Sequence, residues 1–79
     1  MNTTTIANEA NLIDAVFAVL CAVPRKRPLS EKTLRARVMS RYPSTRYEEL
    51  TRVLSRLELE SRIVGHYRTG WDSMRFTVA

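Results

Sequence analysis

Apolar residues in the first third of the chain recur at helical spacing. Between Asn8 and Val23 they are Leu12, Ile13, Val16, Phe17, Val19, Leu20 and Val23. One broad apolar face of this kind is typical of an amphipathic helix. We expect this helix to end before Pro24, because a proline pushes the residue before it out of the helical conformation. Residues 1–7 are mostly polar and are predicted to be frayed.

A second helix is predicted in the segment "LSEKTLRARVMSRY" (29–42). Ser30 can cap its start, and Leu29 and Leu34 have the spacing of a hydrophobic staple. Pro43 ends the helix. The predicted buried stripe consists of Leu34, Val38, Met39 and Tyr42.

The segment "PSTRYEELTRVLSRLELE" (43–60) predicts a third helix, capped by Ser44 or Thr45. Thr45 and Glu48 have the spacing of a capping box. Successive residues of a helix are rotated by about 100° around its axis, so the side chains of this segment fall on two faces. The predicted core face carries Tyr47, Leu50, Val53, Leu54 and Leu57. The opposite face carries Thr45, Glu48, Glu49, Arg52, Ser55 and Arg56, and Leu59 falls there out of pattern.

The pattern changes near residue 62, where two strand-like runs, "RIVGHYR" and "MRFTVA", flank the turn segment "TGWDS". Met74, Phe76 and Val78 alternate with polar residues, so one face of a β-hairpin over residues 62–79 is expected to cover a core. The chain of 79 residues is therefore predicted to be a single domain, mainly α with a C-terminal β-hairpin.

The net charge is +5, and it is unevenly distributed. Residues 24–47 carry eight basic residues and one acidic residue, whereas residues 48–60 carry a net charge of −2. Eleven of the thirteen basic residues are arginine, which binds phosphate and guanine in a forked geometry. This concentration indicates a polyanion or an acidic protein as the partner.

The chain carries few groups suited to catalysis. Cys21 lies in an apolar run and is expected to be reduced and buried, while His66 has no neighbours that could complete a metal site. There is no glycine-rich phosphate loop, so we expect neither an enzyme nor a cofactor. The apolar run at 15–23 is too short to span a bilayer and lacks a basic segment before it, which favours a soluble cytoplasmic protein.

The order of three helices and a terminal hairpin resembles the winged helix-turn-helix family of small bacterial and phage-type DNA-binding regulators. The stretches "PLSEKTL", "LTRVLSRLELESRIV" and "MRFTVA" carry the resemblance, which covers residues 12–79. The chain departs from the family at Ser61, where a glycine usually closes the third helix. It departs again at "MSRYPS", a longer connection than the tight turn of bacterial repressors.

The resemblance implies a transcription regulator that places the third helix in the major groove of double-stranded DNA. The implied base-reading residues are Thr45, Arg46, Glu49, Arg52 and Arg56. The basic cluster predicts backbone contacts from Arg25, Lys26, Arg27, Lys32, Arg35, Arg41 and Ser44, with a merely solvated basic face as the alternative. The wing would contribute Arg68, Trp71 and Arg75. Glu49 could accept a hydrogen bond from a cytosine amino group or only stabilise the start of the helix.

A different class of function is also compatible with the sequence. The acidic end of the third helix, with Leu59, could contact a protein, including a second copy in a homodimer. Trp71 either folds back onto the hairpin or serves as a docking anchor. The chain would then be a winged-helix interaction module, or a phage-type inhibitor, that docks an acidic or nucleic-acid-binding surface of a partner.

Overall fold

The structure, a computed structural model, describes residues 9–24 and 26–79. The elements, in chain order, are α1 (Glu9–Cys21), β1 (Leu29–Ser30), α2 (Glu31–Arg41), α3 (Tyr47–Leu59), β2 (Ile63–His66) and β3 (Arg75–Val78). The three predicted helices and the two hairpin strands are present. The expectations for residues 1–7 and for Arg25 lie outside the described residues.

The strands form a small antiparallel sheet in the order β1-β3-β2. In the hairpin, Ile63 is opposite Val78 and His66 is opposite Arg75. β1 was not expected; it belongs to the connector between the first two helices and places Leu29 opposite Phe76. The fold is therefore mainly helical, with a three-stranded antiparallel sheet.

One apolar core joins the helices to the sheet. The buried apolar side chains of the described residues are Leu12, Ala15, Val16, Val19, Leu20, Leu34, Val38, Leu50, Val53, Leu54, Leu57, Ile63 and Phe76. The predicted faces of α1 and α3 supply most of them, which confirms the helical spacing as the main signal in the sequence. Met74 and Val78 pack against this core from the hairpin, as their alternation predicted.

The start of α2 follows the prediction and the start of α3 does not. Ser30 caps α2, since its side-chain oxygen accepts a hydrogen bond from the Thr33 N–H at 3.2 Å. The N-cap of α3 is Arg46, whose N–H donates to the Glu49 carboxylate at 3.0 Å. Thr45 is not the cap, because the preceding turn binds its N–H to the Tyr42 carbonyl and buries its side chain.

α3 ends in a Schellman motif centred on Ser61, which has a φ of 59°. The Arg62 N–H donates to the Leu57 carbonyl at 2.9 Å, and the Ser61 N–H donates to the Glu58 carbonyl at 3.0 Å. These two bonds satisfy carbonyls that the end of the helix would leave open. Ser61 thus occupies the left-handed position where glycine is favoured, and β2 begins two residues later.

Two predicted burials differ in the structure. Cys21 is exposed rather than buried, because Val19 and Leu20 already turn towards the core and Cys21 follows them onto the solvent side of the last turn of α1. Thr77 is buried rather than exposed, and its hydroxyl lies 2.9 Å from Nε2 of His66 on the neighbouring strand. No helix in the described part of the chain is long and apolar enough to cross a membrane.

Candidate nucleic-acid interface

Arg35 lies between α2 and α3 rather than on a basic surface. Only 8 % of the residue is exposed. Its guanidinium donates to the Glu31 carboxylate at 2.9 Å, to the Thr51 hydroxyl at 2.7 Å and to the Tyr47 carbonyl at 3.3 Å. Arg35 was expected to contact a DNA phosphate, but these partners bind three of its five N–H donors inside the protein. Arg35 instead fixes the first turns of α3 against α2.

Tyr47 was expected in the core, but 60 % of the residue is exposed. Its ring covers the guanidinium of Arg35, with Cζ of the arginine 3.9 Å from the ring centroid. The guanidinium occupies the space between the helices, so the ring lies on it from outside as a cation–π partner. The first turn of α3 thus presents an immobilised aromatic side chain to solvent, which the helical pattern alone did not reveal.

The start of α2, the first turn of α3 and the hairpin loop meet around Lys32. One open cleft of about 240 Å³ is lined by Glu31, Lys32, Arg35, Tyr47 and Ser73. A second, of about 210 Å³, is lined by Ser30, Lys32, Asp72, Ser73 and Arg75. The clefts share Lys32 and Ser73, so they form one continuous surface that runs from α3 to the hairpin. Lys32, a predicted backbone contact, and Arg75, a predicted wing residue, both lie on this surface.

Trp71 folds back onto the hairpin and is half-buried. Its ring lies against the guanidinium groups of both Arg75 and Arg68, whose Cζ atoms are 4.7 and 5.6 Å from the ring centroid. The Trp71 N–H also donates to the Arg68 carbonyl at 3.0 Å, which closes the loop. The hairpin tip is therefore a basic and aromatic cluster in which the tryptophan orders the two arginines.

The two halves of α3 differ in how their arginines are used. Arg46 and Arg52 are exposed at the first half. Arg56 forms ion pairs with Glu9 and, at 3.3 Å, with Glu60. Glu9, through a side-chain hydrogen bond, contributes most to raising the pKa of Arg56 above its usual value, and Glu60 adds to the effect. Arg56 was expected to read bases, but its charge is already balanced by these two carboxylates.

Thr45, which was expected to read bases, lies inside the protein rather than on its surface. Only 8 % of the residue is exposed, and its hydroxyl has no hydrogen-bond partner among the described residues. Glu49 is half-buried and holds the Arg46 N–H, so its role as a helix cap is shown, whereas a role in reading cytosine stays a prediction. Glu48 and Arg52, one turn apart on α3, form no ion pair within the described ranges.

The positive charge is carried by side chains without ion-pair partners. Arg35, Arg56 and Arg62 form the ion pairs of the described ranges, with three glutamates. Nine described basic side chains remain unpaired. They are Lys26, Arg27, Lys32, Arg37, Arg41, Arg46, Arg52, Arg68 and Arg75. Of the predicted backbone contacts, Lys26, Arg27, Arg41 and Ser44 are exposed.

Residues 9–24 and 26–79 contain no group of three histidine, cysteine or acidic side chains that could hold a metal ion. Comparison of the chain with protein-family models, curated proteins and solved structures found no match.

Proposed function

We propose that this protein is a winged helix-turn-helix DNA-binding regulator that inserts the first half of α3 into the major groove. The order of three helices and a hairpin is the layout expected of that family. In this arrangement α2 lies along the DNA backbone and the β2–β3 loop acts as the wing. The cleft around Lys32 joins these two parts to the start of α3.

The division of charge along α3 is the observation that carries the proposal. Arg46 and Arg52 are exposed and unpaired at the start of the helix, whereas Arg56 is neutralised near its end. Glu58 and Glu60 also lie at that end. A duplex approaching the first half of α3 would meet these two free arginines beside Glu48 and the capping Glu49. It would avoid Glu58 and Glu60 in the second half, where Arg56 is paired.

Each basic group then has a distinct role. Arg46 and Arg52 are the candidates for reading base edges, because arginine donates two parallel hydrogen bonds to guanine. Lys32 and Arg75 neutralise phosphates beside the start of α3. Trp71 orders Arg75 and Arg68 for the same purpose. Further phosphate contacts come from Lys26, Arg27, Arg41 and Ser44.

Binding to duplex DNA tests the proposal. A preferred sequence is first enriched from a random duplex pool, and the affinities of the wild type and of variants for it are then measured by fluorescence anisotropy. Arg46→Ala and Arg52→Ala should each weaken specific binding by about 1–3 kcal/mol. Arg56→Ala removes the same charge from the same helix and is the matched control.

The control should bind nearly as well as the wild type, because Arg56 faces carboxylates rather than DNA. Equal losses for Arg52→Ala and Arg56→Ala would contradict the assignment of the first half of α3 to the groove. Absence of any enriched sequence and of any retention on duplex DNA at low salt would contradict the proposal as a whole.

The second candidate function is a protein-binding module for an acidic surface. A groove of about 300 Å³ between α1 and α2 favours it, since two arginines, Arg37 and Arg41, flank a floor that includes Ala18 and Ala22. A pull-down from a cell lysate with wild type and with Arg37→Glu separates the two functions. Capture of one protein in stoichiometric amount, lost in the variant, together with no DNA retention would favour the module.

A further inference from the structure

β2 is an edge strand whose outer side has no partner in the described part of the chain. The Ala79 N–H donates to the Arg62 carbonyl at 3.1 Å, so Arg62 and Ala79 form a hydrogen-bonded pair. Such pairs alternate along an antiparallel ladder, which makes Val64–Thr77 and His66–Arg75 the next ones. The N–H and C=O groups of Ile63 and Gly65 therefore point away from β3, towards the open edge.

The edge strand is short, but it lacks two residue types that normally protect such strands. β2 reads "IVGH" and contains neither lysine nor proline, which usually prevent pairing with another chain. Three exposed apolar side chains lie on β2 or next to its ends. Val64 lies on the strand, while Tyr67, 66 % exposed, and Leu59, 88 % exposed, lie just beyond its two ends.

We propose that this edge pairs with β2 of a second copy of the chain, antiparallel and about a two-fold axis at Val64. In this register Ile63 is opposite the partner's Gly65, so the outward N–H and C=O groups of both residues bind each other. Val64 faces the partner's Val64 in the intervening non-hydrogen-bonded position, where side chains approach most closely. The two three-stranded sheets become one sheet of six strands.

The same two-fold axis brings together side chains of opposite charge, and apolar side chains, on both sides of the paired strands. It places the end of α3 of one copy beside the hairpin of the other, so Glu60 approaches the partner's Arg68. Glu60 is about half-exposed despite its contacts with Arg56 and Arg62, so it can accept a further cation. The exposed Leu59 approaches the partner's Tyr67. A second copy thus satisfies the edge hydrogen bonds, two ion pairs and two apolar contacts together, which is why we assign it as the occupant.

Sedimentation of the full chain without DNA, over a range of protein concentrations, tests this interface. The wild type should be a dimer that dissociates on dilution. Val64→Lys and Val64→Glu should each raise the dimer dissociation constant by about tenfold or more, because two like charges then face each other on the axis. An equimolar mixture of the two variants should recover the dimer as a heterodimer, since lysine then faces glutamate.

Ala36→Lys is the matched control, because it adds the same charge at an exposed position of α2, which takes no part in this interface, and it should leave the dissociation constant unchanged. Far-UV circular dichroism shows whether each variant is folded. A second pair keeps the test independent of Val64: Arg68→Glu and Glu60→Arg should each weaken the dimer, and their mixture should restore it.

A wild type that stays monomeric at about 1 mM would overturn the proposal. So would a dimer that Val64→Lys leaves intact, or variant mixtures that stay monomeric. Because no DNA is present, failure of this interface leaves the proposed DNA-binding function untouched, and failure of DNA binding leaves the dimer untouched.

Discussion

Ser61 shows how a single backbone angle costs stability. Its φ of 59° places its Cβ against the following carbonyl, a strain of about 1–2 kcal/mol that glycine avoids. Glycine loses more conformational freedom on folding, so Ser61→Gly should raise the free energy of unfolding by about 0.5–1 kcal/mol, as measured by urea denaturation. Gly70→Ala is the opposite case, since a Cβ there has open space but φ is +96°, and it should lower stability. Ser61→Ala retains the Cβ and should bring no gain.

Arg35 stabilises the contact between α2 and α3 because its guanidinium is charged and donates several hydrogen bonds at once. Arg35→Met leaves the Thr51 hydroxyl oxygen and the Glu31 carboxylate without the guanidinium that donates to them, while the Tyr47 carbonyl keeps its hydrogen bond from the Thr51 hydroxyl. Because one partner of a largely buried pair is removed, the variant should lose about 2–4 kcal/mol of stability in denaturant unfolding. Arg35→Lys should recover little, as an ammonium cannot form the fork. Arg37→Met, two residues along and exposed, should change stability by less than about 0.5 kcal/mol; an equal loss would contradict the assigned role.

At the scale of elements, β2 and α3 pack closely at Gly65. A Cβ at this position would lie 2.6 Å from the Glu58 carboxylate and would collide with the end of Met74. Gly65→Ala should therefore destabilise the protein by only about 1 kcal/mol, the low end for overpacking, because the atoms in the way are the ends of two flexible side chains that can move aside. Combining it with Glu58→Ala removes one obstacle and should recover part of the loss in a double-mutant cycle of unfolding free energies. Strictly additive losses would show that Glu58 does not contact this position.

The elements that could be predicted are those whose causes are local in sequence. The apolar spacing of α3 and the cap at Ser30 depend on neighbours within one or two turns, and both were predicted. β1 has two residues, too few to show a periodic pattern. It forms because Leu29 pairs with Phe76, a residue that is distant in the sequence. The cap of α3 was misplaced by one or two residues because three consecutive residues can start the helix, and the preceding turn selects Arg46.

The candidate site follows the same rule. The excess of arginine in residues 24–47 is visible in the sequence, but which arginines are free depends on partners distant in the chain. Arg35 binds residues 12 and 16 positions away, and Arg56 binds Glu9, which is 47 positions away. Both were predicted as DNA contacts because helical spacing shows only which face a residue occupies. Arg35 and Arg56 are bound within the protein, whereas Arg46 and Arg52 are the exposed arginines of the first half of α3.

At the scale of the whole molecule, ion pairing neutralises three basic groups of the described ranges and leaves the others free. The ion pairs of residues 9–24 and 26–79 join three basic groups to three acidic groups, so these pairs contribute nothing to the net charge of +5. Five of the nine unpaired basic groups of the described ranges, namely Lys32, Arg46, Arg52, Arg68 and Arg75, belong to the start of α2, the first half of α3 and the hairpin. A polyanion would be attracted to that side before any specific contact forms.

Salt dependence measures how many of these groups neutralise phosphates. The basic groups assigned to phosphates are Lys26, Arg27, Lys32, Arg41, Arg68 and Arg75. If all of them neutralise phosphates, the logarithm of the association constant for duplex DNA should fall with the logarithm of the salt concentration with a slope of about −5. Lys32→Ala should make the slope shallower by about one and weaken binding to all sequences alike, because a phosphate contact carries no sequence information. Arg56→Ala should leave the slope unchanged, since its charge is already paired in the free protein. A slope near zero for the wild type would mean that the free arginines serve a protein partner instead.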